Sequence, residues 1–400
     1  MSPVLPFDIT VLIIDIAHEN KDTNLLKELA LVSHSFLQIC SNHLFATVEL
    51  HDAVPIRDIA SSKKAFVKLL KSRPDVVKYI RKLTYKVSRR KDDDDHLLSP
   101  ILLNFLPTFS RLNCLTISGS RRDWNTLDSS LISAFLHLMR LPTINHIDLS
   151  FIKNFPLSSL TSSFNLLRLD IYILTCSDPL KEDGSSEVLV EMIPKIRELY
   201  TSTSPQVTTK LLHAKRQDGG PAFNFMDLRR LKMSFDRSYD ERNFRYLLQN
   251  AKLLEKLDLE VVHGESLVGL LSPSARALKV LHLSVSLMHG SVILGGICEE
   301  LEALAGDNML EALSFKVDVR VVFGDAVDFV GSIMQKVEKV LVKPGWSMLR
   351  QVSFKLSLAD FRIDRLRELD EALQSLPDKY LSHLSKLESV AFNYSARCES

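Results

Sequence analysis

The chain has 400 residues, 46% of them hydrophobic and 25% charged, the make-up of an ordinary globular protein. Its formal net charge of +1 excludes a general attraction to nucleic acid or an anionic membrane. Its five scattered cysteines, with no CxxC pair, exclude a zinc ribbon or a thioredoxin-like redox site. Cysteines so placed suit a reducing compartment, where they act as small apolar fillers. The start, "MSPVLPFD", lacks the basic opening of a signal peptide. The most apolar later run, "LSVSLMHGSVILGGIC", is shorter than a membrane span. The expectation is a soluble intracellular protein, cytoplasmic and/or nuclear.

The first predicted element is a helix. Pro6 suits a first helical position and Asp8 a first turn, and Ile9, Leu12, Ile13 and Ile16 follow as one apolar stripe. "ENKDTN" is a polar turn in which Thr23 or Asn24 can cap a second helix carrying Leu25, Leu26, Leu29 and Val32. Ser33 can cap a third, carrying Phe36, Leu37, Cys40 and Leu44. "FATVEL" then alternates and reads as a strand. Residues 1–60 carry about −5 net and the remainder about +6. Some 40 residues are too few to bury a core of their own, so this unit caps the rest of the chain or awaits a partner.

These residues resemble an F-box, in the form common among fungal F-box proteins. The family opens on Leu-Pro, here Leu5 and Pro6, and continues with Ile9, Leu12 and Ile13. It goes on through Leu26, Leu29, Val32, Ser33, His34 and Phe36, where Trp is usual in the third helix, and closes on Leu44 and Phe45. The resemblance implies that Leu5, Pro6, Ile9, Leu12, Ile13, Leu29, Val32, Ser33, Phe36, Leu44 and Phe45 bind an SKP-family adaptor, and through it a cullin ubiquitin ligase. His34 and His43 would serve packing or adaptor contacts.

Residues 51–79 read as a junction. Phe66, Leu69, Leu70 and, beyond Pro74, Val77 fit a helix that ends near the proline and caps the first repeat. From residue 80 the pattern apolar-x-x-apolar-x-apolar recurs. It runs through "IRKLTY", "LNCLTI", "INHIDL", "LLRLDI", "IRELYT" (weakened by Thr201), "LRRLKM", "LEKLDL", "LKVLHL", "LEALSF", "LRQVSF" and "LESVAF". About 17 chance matches are expected in such a chain, so the pattern alone carries little weight. The spacing of 22 to 39 residues between these copies, with helical stretches such as "LISAFLHLMRLP" and "DAVDFVGSIMQKVEKVL" between them, predicts one strand and one helix per unit.

This part resembles the irregular leucine-rich repeats that follow many F-boxes, which implies a parallel-stranded α/β solenoid, or horseshoe, over residues 80–400. It departs from the repeat consensus in lacking the Asn or Cys three residues beyond the last apolar position. Ser120, Ile152, Leu174 and Val262 stand there instead, so no general asparagine ladder can satisfy the turning backbone. A doubly wound α/β domain would also alternate helix and strand, but no glycine-rich phosphate loop follows a strand.

"RRKDDDDH" reads as a solvated loop rather than a metal site, because neighbouring aspartates point different ways. "AKRQDGGPAFN" and "CSDPLKEDGSSE" read as flexible excursions. Trp124, beside Arg121 and Arg122 on a loop, is either a binding hot spot or a ring folded back on its own repeat. No catalytic, cofactor or metal motif is present in the sequence. The expected fold is therefore α/β, with a three-helix F-box over residues 1–50, the junction, and the solenoid. The expected function is non-catalytic: substrate recognition in an SCF-type ubiquitin ligase, with an unidentified protein target on the repeats. A repeat scaffold without a ligase role is the alternative.

Overall fold

The computed structural model describes residues 7–51, 62–87, 95–176, 193–216, 218–235, 238–261, 271, 275–288, 295–306, 308–320, 326–359 and 366–399. The chain forms two compact units, Met1–Pro194 and Lys195–Ser400.

In the first unit, helices α1 (Phe7–Glu19), α2 (Thr23–Ala30) and α3 (His34–Leu44) precede strand β1 (Thr47–Leu50). The Asp22 carboxylate, rather than Thr23 or Asn24, caps α2 by accepting from Leu25 N at 2.9 Å. Its oxygens sit one residue before the first helical position, where a cap must stand. Ser33 caps α3 by accepting from Phe36 N at 3.3 Å, as its sequence position predicts. Helix α4 (Ser62–Ser72) and a 3-10 turn from Pro74 to Tyr79 come next, then β2 (Lys82–Val87), α5 (Asp95–Phe105) and β3 (Cys114–Asp123). The unit ends with α6 (Ser129–Met139), β4 (His146–Lys153), α7 (Ser158–Thr161) and β5 (Arg168–Tyr172). All five strands run parallel, each paired with the next in chain order.

The repeated motif explains this packing. Its last two apolar positions are two residues apart on a strand and point to the same face. Leu83, Leu115, Ile147 and Leu169 therefore fall in one register line, and Leu50, Tyr85, Ile117, Leu149 and Ile171 in the next. All nine are buried, each contributing roughly 1.5–3 kcal/mol for a large aliphatic side chain. Helix α4 covers this sheet with Phe66 and Leu70, and Val77 lies in the 3-10 turn beyond it. The ammonium of Lys63, also buried, lies 4.4 Å from the Tyr85 ring centre.

The second unit repeats the arrangement with β6 (Glu198–Ser202), α8 (Pro205–His213), β7 (Arg230–Phe235), α9 (Ser238–Asn250) and β8 (Lys256–Val261). It continues through β9 (Val280–Met288), α10 (Gly295–Leu304), β10 (Ala312–Arg320), α11 (Ala326–Leu341), β11 (Gln351–Ala359), α12 (Leu366–Tyr380) and β12 (Ala391–Glu399). These seven strands are again parallel and in chain order. Leu199, Leu231, Leu257, Leu281, Leu313 and Val352 form one buried line. Thr201, which weakens the motif, nonetheless occupies a core position, and its hydroxyl lies 2.8 Å from that of Thr208. Each unit is thus an α/β array of repeated, solenoid-like strand–helix segments.

Where regular repeats use asparagine, this chain bends its backbone. Phe151, Ile173 and Thr203, each two residues past the last apolar-motif position of its copy (Leu149, Ile171 and Thr201), have φ of 55°, 47° and 51°. The turns of the first unit then bond to each other: Thr175 N donates to Ile152 O and Phe155 N to Thr175 O, both at 3.0 Å. A β-branched residue at positive φ is strained by about 1–2 kcal/mol. Relief of that strain means that Thr203→Gly should raise the melting temperature by a few degrees, whereas Thr203→Val should not. A lower melting temperature for the glycine variant would contradict this account.

Residues 214–216 and 218–224 are held in place rather than loose. Arg216 N donates to Gly220 O at 2.8 Å, Gly219 takes φ 79°, and Ala214, Ala222 and Phe223 are buried. The apolar residues at its ends anchor the loop. Of "RRKDDDDH", only Asp95 and His96 are described, at the start of α5. Asp92 to Asp94 and the stretch after Cys176 lie outside the described residues.

Candidate functional site

Helix α1 carries two apolar stripes. Ile14 and Ala17, with Thr10, face inward, and the first two join Leu26 and Cys40 in a small core. The Asp15 carboxylate lies 3.2 Å from Nε2 of His43 on α3. Burial, with His18 close by, holds the His43 imidazole below its ordinary pKa despite that carboxylate. The other stripe, Ile9, Leu12, Ile13 and Ile16, faces solvent, Leu12 at 57% exposure. Phe7, Leu25, Leu31 and Val32 are exposed as well, the last two at 87% and 65% in the turn between α2 and α3.

The eleven residues that the F-box resemblance selects thus divide. Ile9, Leu12, Ile13, Val32 and Ser33 are exposed. Leu29, Phe36 and Leu44 pack against the module's own core, and Phe45 is half-buried. Leu5 and Pro6 lie outside the described residues. The structure adds Phe7, Ile16, Leu25 and Leu31 to the exposed set. Of the fifteen large hydrophobic residues exposed among the described residues, eight belong to these three helices and their turns. So many exposed large hydrophobic residues in so short a stretch are uncommon on a protein surface.

The second surface is the strand face turned away from the core. In the second unit it is mixed in charge and rich in serine. Lys316 stands beside Lys355 in the register and pairs with Asp318 at 2.6 Å. Ser353 donates to Ser314 at 2.8 Å, and Arg397 Nε to Ser357 at 3.2 Å. In the first unit the same face is more tightly connected. Cys114, His146 and Arg168 stand side by side on β3, β4 and β5. Cys114 Sγ lies 3.2 Å from His146 Nδ1, and His146 Nε2 lies 3.0 Å from Asp170 Oδ2. Arg168 holds Asp170 in a forked pair at 3.0 and 2.9 Å. Asp148 lies opposite Asp170 on the neighbouring strand and accepts from Thr116 at 3.5 Å.

Burial opposes charge on His146, but the Asp170 carboxylate and the Cys114 sulfur outweigh it and lift the imidazole to a pKa of about 9. Burial likewise works against the Asp170 charge, yet His146 and Arg168 hold that carboxyl below the ordinary range. Asp148, half-buried and facing Asp170, is pushed upward by that partial burial and by the neighbouring carboxylate. A histidine whose folded pKa exceeds its unfolded 6.5 stabilises the fold fully below about pH 6.5 and loses that effect as pH rises through about 9. The melting-temperature gap between wild type and His146→Gln should therefore be widest near about pH 6 and shrink by about pH 9.5. A gap that does not change with pH would show that His146 carries no charge there.

Trp124 is not a binding hot spot. Its ring is buried, edge-on to Phe155 at 4.9 Å and 5.9 Å from Phe135, because the 3-10 turn after β3 folds it onto its own repeat. Among the described residues no group of three or more His, Cys, Asp or Glu side chains could hold a metal ion. No helix of the described residues is long and apolar enough to cross a membrane.

No family model matches the chain, and no curated protein matches it. A solved crystal structure of a protein from Bacteroides fragilis is similar over 85% of this chain and 84% of that one, at 13% sequence identity and a TM-score of 0.35.

Proposed function

We propose that this chain is the substrate-recognition subunit of an SCF-type cullin ubiquitin ligase. Helices α1 to α3 act as an F-box that docks on an SKP-family adaptor. The repeats, read as leucine-rich repeats of an irregular kind, hold an unidentified protein target on their polar strand faces. The chain itself forms and breaks no bond in ubiquitin transfer.

The observation that carries this reading is the solvent-facing stripe Ile9, Leu12, Ile13 and Ile16. A helix that served only as a cap would turn its larger aliphatic residues inward and leave polar ones outside. Here Ala17 and Thr10 go in with Ile14 while three isoleucines and a leucine stay out. A partner that supplies its own apolar groove covers such a stripe.

Co-expression with an SKP-family adaptor tests it. The full chain should co-purify with the adaptor as a stable one-to-one complex and bring a cullin with it. If the full chain never retains an adaptor, the three helices are a cap, and a repeat scaffold without a ligase role is the better description.

A further inference from the structure

The geometry points to a binding site for a small phosphomonoester in the groove formed by Arg81, Arg111, Asn113 and Thr143 of the first unit. This inference is independent of the docking reading.

The groove has a volume of about 560 Å³ and is lined by those four residues, within the usual size range of a small-molecule site. It lies where the chain enters the sheet. Arg81 directly precedes β2, Arg111 and Asn113 lie just before β3, and Thr143 lies just before β4. The backbone fixes these entrances against one another. Asn113 N and Cys114 N both donate to Arg81 O, at 2.9 and 3.0 Å, and Asn145 N and His146 N both donate to Asn113 O at 3.0 Å.

Three observations point to an anion. The first is charge. Arg73 and Arg168 of the same unit pair with Asp75 and Asp170, whereas among the described residues neither Arg81 nor Arg111 has a carboxylate partner. Both are exposed. On the helices beside Arg81 the charged groups are His43 and Asp15, and these bond to each other at 3.2 Å. The second is preorganisation. Arg111 Nη1 donates to Asn42 Oδ1 on α3 at 3.0 Å, which holds the guanidinium and leaves its other N–H groups for a ligand. The third is Thr143. Its Oγ1 is buried and has no hydrogen-bond partner among the described residues. Such a hydroxyl is costly and uncommon, and in the wall of a groove it finds its partner in what the groove holds.

The lining selects the ligand. It offers two guanidiniums, an amide and a hydroxyl, with no carboxylate to repel an anion and no apolar side chain to grip a hydrophobic group. A guanidinium fork matches two oxygens of a phosphate, and two guanidiniums balance the charge of about −1.5 to −2 that a phosphomonoester carries near pH 7. The Thr143 hydroxyl and the Asn113 amide can each donate to a further oxygen. A carboxylate, with one charge and two oxygens, would leave half of these donors unused.

The test is calorimetric titration of the full chain with glycerol phosphate at low ionic strength, with acetate and glycerol as controls. Glycerol phosphate should bind at least about tenfold more tightly than acetate, and glycerol should not bind. Arg81→Gln and Arg111→Gln should each weaken glycerol phosphate binding at least about tenfold, and the double variant should abolish it. Thr143→Val should weaken binding severalfold while the melting temperature of the unliganded chain stays the same or rises, because the change removes a buried polar atom that has no partner. Arg350→Gln is the matched control: Arg350 is exposed and directly precedes β11 as Arg81 precedes β2, and its loss should leave binding unchanged. Circular dichroism checks that each variant is folded. The proposal is overturned if glycerol phosphate binds the wild type no more tightly than about 10 mM, or if the double variant binds it as the wild type does. It is also overturned if Arg350→Gln weakens binding as much as Arg81→Gln, which would mean diffuse attraction to surface charge. A neutral peptide bearing one phosphoserine should bind no more tightly than glycerol phosphate. Binding about tenfold tighter would overturn the small-molecule assignment and make the ligand a phosphorylated protein.

Discussion

Leu12→Asp combined with Ile16→Asp should abolish capture of an SKP-family adaptor while the chain stays folded. Both side chains face solvent on α1, and the stripe that anchors this helix, Ile14 and Ala17 against Leu26 and Cys40, is untouched. Each aliphatic anchor contributes roughly 1.5–3 kcal/mol when an interface buries it. Losing two therefore weakens binding by at least about a hundredfold, and the buried carboxylates that replace them weaken it further. The measurement is adaptor affinity by calorimetry, with far-UV circular dichroism and the melting temperature as controls for folding. Ile14→Asp is the contrasting variant, since it should lose the helices as well as the adaptor. If the double variant bound as tightly as wild type, the docking face would lie elsewhere on the module. Leu5→Ala with Pro6→Ala then separates the start of the chain from the stripe.

Phe354→Ala should cost the second unit about 3–5 kcal/mol, the range for removing a fully buried aromatic ring. Phe354 stacks on Phe315 with ring centres 4.8 Å apart and planes 14° apart, and Phe392 lies 6.3 Å away on the far side. The rings sit on the adjacent paired strands β10, β11 and β12, so the cavity is walled by paired backbone and collapses poorly. A unit of about 200 residues shifts by roughly 2–4 °C per kcal/mol. The expected fall in melting temperature is therefore on the order of 10 °C. Phe354→Leu, which fills most of the space, should lose far less. A fall of only a degree or two for the alanine variant would mean that the line is not a continuous core.

The strands were legible because their signal is doubly constrained. A residue such as Leu112, Ile144 or Leu166 enters the core at the turn, and the next two apolar positions come on the strand, so composition and spacing agree at most of the eleven copies from residue 80, Thr201 being the departure in composition. The orientation of α1 was not legible. Ile9, Leu12, Ile13 and Ile16 and the set Thr10, Ile14 and Ala17 both have helical spacing, and only packing against α2 and α3 decides which is inside. The Cys114–His146–Asp170 network was hidden for a different reason. Cys114 and His146 are 32 residues apart, and His146 and Asp170 are 24 apart, and nothing local links them. Setting the motif copies one above another would have revealed it: Cys114, His146 and Arg168 are each the third residue of their copy. Asp170 lies two further on.

Within the second unit each strand bonds only to the strand before it and the strand after it in the chain. Stability then accumulates between nearest neighbours, as in a one-dimensional lattice, and the end of the row holds least. Among the described residues strand β12 has a single strand partner, β11, and is tied to α12 by Tyr394 donating to Leu373 O at 2.6 Å and Gln374 donating to Ala396 O at 3.2 Å. Its amides should exchange with solvent well before those of β10, which is bonded on both sides. Unfolding would begin at that edge and advance inward strand by strand, so a shortened chain ending after β11 would lose one neighbour term while the remaining pairings stayed as they are.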